Sequence, residues 1–110
     1  MTEDSYCSMV DGCIVADPAD TDDVVKAKYF AYFKENFLKF YETRTPMHIF
    51  THAALFQRNR GSFEALVMFL QEVMYYDNIW MLSPSQVIDF MSSPVSYTKA
   101  MNSAIPSWRC

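Results

Sequence analysis

Apolar residues in this chain recur in two periods. Between residues 22 and 42, Phe30, Phe33, Phe37 and Phe40/Tyr41 fall on one helical face, with Lys26, Lys34, Glu35 and Lys39 mostly off it. Asp22 and Asp23 precede the run, where acids complement a helix N-terminus. The pattern predicts a helix over 22–42, with its aromatic stripe packed on a sheet. Pro46 stops it, because the residue before a proline disfavours α geometry. The next stretch, Met47-His48-Ile49-Phe50-Thr51-His52-Ala53, is short, apolar and β-prone, and reads as a buried strand. Alternation puts His48, Phe50 and His52 on one face and Ile49, Thr51 and Ala53 on the other.

Residues 57–61 read as a polar loop, and Ser62 as a cap for the next helix. Phe63, Leu66, Val67, Leu70, Val73 and Met74 then form a stripe that predicts an amphipathic helix over 63–76. Ile79-Trp80-Met81-Leu82 reads as a second short strand. Ser83-Pro84-Ser85-Gln86 carries a helix start: a capping serine, proline at the first position and glutamine at the third. Val87, Phe90 and Met91 give this helix its apolar side, and Ser92-Ser93-Pro94 stops it. Residues 95–110 have room for one more helical turn. The order helix, strand, helix, strand, helix predicts an α/β fold with parallel strands. Two short strands cannot cover the faces and edges of such a sheet, so the pattern predicts one part of a larger unit.

Composition narrows the function classes. Hydrophobic residues make up 51% of the 110 residues and aromatics 16%, which argues against disorder. With two glycines, neither a dinucleotide-binding fingerprint nor a phosphate loop can be written. The net charge of −4 is unevenly placed. Of thirteen acids, seven lie in residues 1–23, which hold no Lys or Arg, leaving six acids and nine bases after them. The bases form no run, which excludes a nucleic-acid surface. Residues 1–20 therefore read as an acidic, irregular arm and 21–110 as the folded part. No stretch reaches the length of a membrane span, and Met1-Thr2-Glu3-Asp4 lacks the features of a signal peptide.

Candidate chemistry is sparse. His48 and His52 are four apart, which on a strand separates them by about 13 Å, too far to share an ion. No metal site is expected. His48 reads as a hydrogen-bonded residue at the strand entrance. His52 lies at the C-terminal end of its strand, the edge where parallel α/β folds gather catalysts, and an imidazole there can act as acid or base near neutral pH. A buried structural histidine is the competing reading. No local Cys–His or Ser–His pairing offers His52 a partner, and Asp89 reads as a solvent-facing charge. The closely spaced carboxylates lie in the N-terminal arm, which reads as too irregular to hold them in register. Cys7, Cys13 and Cys110 are an odd set, and their spacing leaves secreted disulfides and cytosolic thiols both open.

Four segments in order resemble one family. Pro46-Met47-His48-Ile49-Phe50-Thr51-His52-Ala53-Ala54-Leu55-Phe56 looks like the last catalytic motif of chitin-deacetylase-like proteins, polysaccharide deacetylases of carbohydrate esterase family four. Cys7-Ser8-Met9-Val10-Asp11-Gly12-Cys13 resembles their Cys-Ser-Met-x-Asp-x-Cys segment. Asp77-Asn78-Ile79-Trp80 with Ser85-Gln86-Val87-Ile88-Asp89-Phe90-Met91 resembles their final strand and helix, and Pro106-Ser107-Trp108-Arg109-Cys110 their tail. The resemblance implies the C-terminal strand–helix segment of a distorted (β/α) barrel that removes N-acetyl groups from chitin. It implies a divalent metal, usually zinc, in a complete member and none in this chain. His52 matches the family's late general acid, and Phe50 the apolar position lining the acetyl-methyl pocket. Leu55 stands where a tryptophan platform is usual. Cys7, Cys13 and Cys110 match cysteines that the secreted family joins in disulfides, which implies an extracellular protein. The family's base, metal-ligand and substrate-arginine motifs are expected upstream of Met1.

Three functions are expected on these grounds. The first is the C-terminal part of a chitin-deacetylase-like hydrolase, inactive by itself. The second is a non-catalytic chitin-binding or matrix protein, and the third a helical interaction module with no carbohydrate role.

Overall fold

Thr21 opens the longest element of the computed structural model, which describes residues 9–102. Its hydroxyl accepts the Val24 N–H at 3.4 Å, and Asp22 and Asp23 occupy the first turn of helix α1, Asp22–Thr43. The helix ends where Arg44 turns left-handed (φ 56°), its N–H donating to the carbonyls of Phe40 and Tyr41. A short helix α2 covers Ala53–Arg58, and α3 covers Ser62–Val73. Helices α4, Pro84–Ser92, and α5, Tyr97–Asn102, complete the order. The chain divides into two units, Met1–Val73 and Met74–Cys110.

The first unit is built on α1 against α3. Val25, Tyr29, Phe33 and Phe37 are the buried residues of α1; those of α3 are Ser62, Ala65, Phe69 and Val73. Phe69 stacks on Phe33 at 5.6 Å and meets Phe37 edge-on at 5.8 Å. Lys34 pairs with Glu72 at 2.8 Å and Lys26 with Glu64 at 3.7 Å. Both pairings advance in the same chain direction, so the two helices run parallel.

The buried face of α3 is turned by about one residue from the predicted stripe. Phe63 is 56% exposed and Met74 73%, while Ser62 and Ala65 are fully buried. Close approach explains the turn. Gly61, at φ +90°, sits so near α1 that an added Cβ would lie 2.5 Å from the Asp22 carbonyl oxygen. The residues buried where α3 begins, Ser62 and Ala65, are small, and the large rings meet further along.

The expected α/β architecture is overturned. No strand occurs among the described residues, which are helical or irregular, so they show no strand–helix segment of a barrel. The predicted strand at 47–53 is irregular up to His52, whose own backbone is extended, and its alternation survives: Met47, Ile49 and Thr51 are half-buried while His48, Phe50 and His52 are exposed. What it lacks is a neighbour. Among the described residues one backbone bond joins this stretch to another segment, Val10 N–H to the Phe50 carbonyl at 3.4 Å. A strand is defined by its ladder, and period-two patterning alone does not supply one. Residues 79–82 are likewise irregular. Ala53, placed in the strand, instead opens α2, which continues through Gln57 and Arg58 of the predicted loop.

In the second unit, the helix start read from sequence is present. Ser83 Oγ accepts the Gln86 N–H at 3.3 Å, Gln86 Oε1 accepts the Ser83 N–H at 2.8 Å, and Pro84 takes the first position. Helix α4 has no fully buried residue.

Candidate functional site

A short 3₁₀ turn, Val10–Gly12, and the start of α2 make the site, both within the first unit. Val10 anchors the turn, with 7% of its surface exposed. The next residue, Asp11, then faces the end of the extended stretch, and its carboxylate collects three donors. Thr51 Oγ1 donates to Asp11 Oδ1. The His52 N–H donates to Oδ2 at 3.0 Å and reaches Oδ1 at 3.3 Å. His52 Nδ1 lies 2.8 Å from Oδ2. Arg58, in the last turn of α2, reaches the Asp11 main-chain carbonyl through Nη2 at 3.5 Å.

The environment of the two partners differs. The Asp11 side chain is 20% exposed and the His52 ring 72%. The Thr51 hydroxyl is the largest cause holding the Asp11 carboxyl below the usual carboxylate range. Partial burial pushes the other way, and the ring, N–H and charge of His52 add to the lowering. Asp11 is therefore an anion at neutral pH that receives the Nδ1 side of His52. A neutral ring bonded in this way carries its proton on Nδ1 and its lone pair on Nε2; a charged ring presents an Nε2–H. The solvent-facing nitrogen can thus give or take a proton with its orientation fixed by the other.

His52 has a partner, and it lies in the arm that the charge pattern marks as solvated. No local spacing could show this, because 41 residues separate the two. The signal that was present is the segment Cys7-x-x-x-Asp11-Gly12-Cys13, notable in the sequence for its resemblance and not for its carboxylate.

Phe50, the candidate for the acetyl-methyl pocket, is 56% exposed. Its ring sits 4.8 Å from that of exposed His48, which in turn meets Phe40 edge-on at 6.1 Å. These rings border a cleft of about 140 Å³ that Tyr32, Asn36 and Met47 help to line. Leu55 is 2% exposed and belongs to the core. Cys13 Sγ lies 3.1 Å from the Tyr32 hydroxyl, while Cys7 and Cys110 fall outside the described residues. Among the described residues no group of three His, Cys, Asp or Glu could hold a metal. Among the described residues Asp11 and His52 supply two such donors, where a catalytic zinc takes three protein ligands. No helix among the described residues is long and apolar enough to cross a membrane.

No family model matches the chain, and no solved structure does. Two curated proteins of Bombyx mori are similar to it. Chitin deacetylase 1 is 27% identical over 105 residues, which cover 94% of this chain and 18% of that protein. Chitin deacetylase 8 is 31% identical over 90 residues, covering 81% of this chain and 23% of that protein. The chain thus resembles, over most of its own length, about a fifth of each of two insect chitin deacetylases.

Proposed function

We propose that this chain is the acid-bearing segment of a secreted chitin-deacetylase-type hydrolase, with His52 as the group that protonates the departing amine. The observation that carries this is the Asp11 carboxylate engaging both the N–H and Nδ1 of His52, with the ring otherwise open to solvent. In hydrolysis of an N-acetyl group, water adds to the acetamide carbonyl and the C–N bond breaks. The nitrogen takes the proton from His52 Nε2, releasing acetate and a free amine. A positioned imidazole suits that step, because its ring nitrogen can pass a proton to the departing nitrogen. The base and the metal belong to other parts of a longer protein in this reading, which makes the 110-residue chain inactive by itself. The similarity to part of the two insect deacetylases supports the substrate class, an N-acetylglucosamine polymer. Phe63, Val67 and Met68, apolar residues exposed along α3, suit a chain that sits within a larger protein. Cys7, Cys13 and Cys110 belong to disulfides in this reading, as an extracellular setting allows.

A chitin-binding role without chemistry is the second reading. The exposed pair His48 and Phe50 beside Phe40 favours it, since flat rings suit the faces of sugar units.

Acetate release from chitin oligomers separates the readings. The 110-residue chain is expected to release none, and a longer protein containing it to release acetate. Release by the 110-residue chain would refute the incomplete-site reading. Retention of the longer protein on chitin beads, with no acetate formed, would favour binding alone.

A further inference from the structure

Asp11 sits in a three-residue turn followed by Cys13, and among the described residues one backbone bond, of 3.4 Å, joins this turn to the stretch that ends at His52. The terminal torsion of an aspartate side chain is broad and two-fold, so nothing in Asp11 itself fixes the plane of its two equivalent oxygens. That plane has to be set from outside. The His52 N–H touches both oxygens, at 3.0 and 3.3 Å, and discriminates weakly between them. Arg58 reaches the main-chain carbonyl of Asp11. Thr51 is different: its hydroxyl bonds Oδ1 alone, and its β-branched side chain is stiff at χ1.

We infer that Thr51 is the positioning residue of this site. Its hydroxyl pins Oδ1 of Asp11, which leaves Oδ2 turned toward His52 Nδ1. The inference rests on the reading of His52 as the working group. It adds a part that alternation along the stretch would place elsewhere, since Thr51 and His52 lie on opposite faces. They meet the same carboxylate because Asp11 straddles the chain at the point where α2 begins, one oxygen bonded to Thr51 and the other to His52. Thr51 is half-buried, and its hydroxyl is bonded to Asp11 Oδ1.

The groups facing Asp11 are Thr51, His52 and Arg58, with Tyr29 close enough to interact electrostatically. Neither Arg58 nor Tyr29 bonds Oδ1; apart from Thr51, the longer 3.3 Å contact from the His52 N–H reaches it.

The test uses Thr51→Val, which keeps the shape and removes the hydroxyl, and Thr51→Ser, which restores it. Carbon-detected NMR titration of the Asp11 carboxyl and nitrogen spectra of His52 are recorded on the full chain. In Thr51→Val the Asp11 midpoint is expected to rise toward the ordinary carboxylate value, and the Nδ1-protonated fraction of neutral His52 to fall. Thr51→Ser is expected to return both toward the wild type. A wild-type titration and wild-type nitrogen signals in Thr51→Val would overturn the inference. So would failure of Thr51→Ser to restore them in a folded chain. Should Thr51→Val not fold, Thr51→Ala serves the same comparison. The readout is independent of acetate release. If the deacetylase reading fails, the spectral changes still occur. If Thr51 has no positioning role, His52→Ala still impairs a longer enzyme while Thr51→Val does not.

Discussion

Replacing His52 with Ala in a longer protein that carries this segment lowers kcat for chitin-oligomer deacetylation by about 100- to 10,000-fold, with KM changed only a few-fold. The size follows from the step assigned to it. Amide nitrogen is a poor leaving group until it is protonated, and a positioned acid contributes in that range. The split between kcat and KM follows from exposure. The His52 ring is 72% open to solvent and is oriented by its contact with Asp11, so the substrate's ground state gains little from it. A proton is passed only as the C–N bond breaks, and the interaction therefore belongs to the transition state. Asp11→Asn is expected to lower kcat less than His52→Ala, because it leaves the acid in place and disturbs its orientation. Steady-state kinetics on chitin oligomers of defined length give both constants. Unchanged kcat in His52→Ala would refute the acid role.

Phe69→Ala destabilises the first unit by about 3–5 kcal/mol, whereas Phe63→Ala changes stability by about 0.5 kcal/mol or less. The two substitutions sit on the same helix and remove the same atoms, so helix propensity cancels. Burial is what differs. Phe69 is 2% exposed and contacts both Phe33 and Phe37, whereas Phe63 is 56% exposed and meets the Phe56 ring edge-on. Removing Phe69 leaves a cavity between two helices whose spacing is fixed by the close approach at Gly61, so the space cannot collapse. Urea melts of the full chain, compared by midpoint at constant slope, measure the difference. Equal effects at the two positions would mean that α3 presents its other face to α1.

This pair of positions also shows how far the sequence could be read. The periodicity of residues 63–74 placed a helix correctly, but chose Phe63, Leu66 and Val67 as its inward face. A periodic stripe reports that a helix has an apolar side, and α3 has apolar residues on two. The deciding fact was tertiary: α1 lies close against Gly61, and the small residues Ser62 and Ala65 are the ones buried at that end of α3. Capping chemistry was legible because it is local. Ser83, Pro84 and Gln86 carry their partners within four residues, and the structure reproduces each. The stretch 47–52 alternates as read but is not the predicted strand, since a strand depends on a neighbour. His52 stands out from its chemistry and from the resemblance; that Asp11 and Thr51 are partners follows only from a contact spanning 40 residues, which no local pattern shows.

The central claim is that the Asp11 carboxylate fixes the orientation and tautomer of His52. Long-range proton–nitrogen NMR of the imidazole, recorded on the wild-type chain and on Asp11→Asn above the titration of the ring, tests it directly. The expected result is a wild-type ring protonated on Nδ1, with Nε2 bare toward solvent, and a loss of that preference in Asp11→Asn. A wild-type ring protonated on Nε2, unchanged by the substitution, would contradict it.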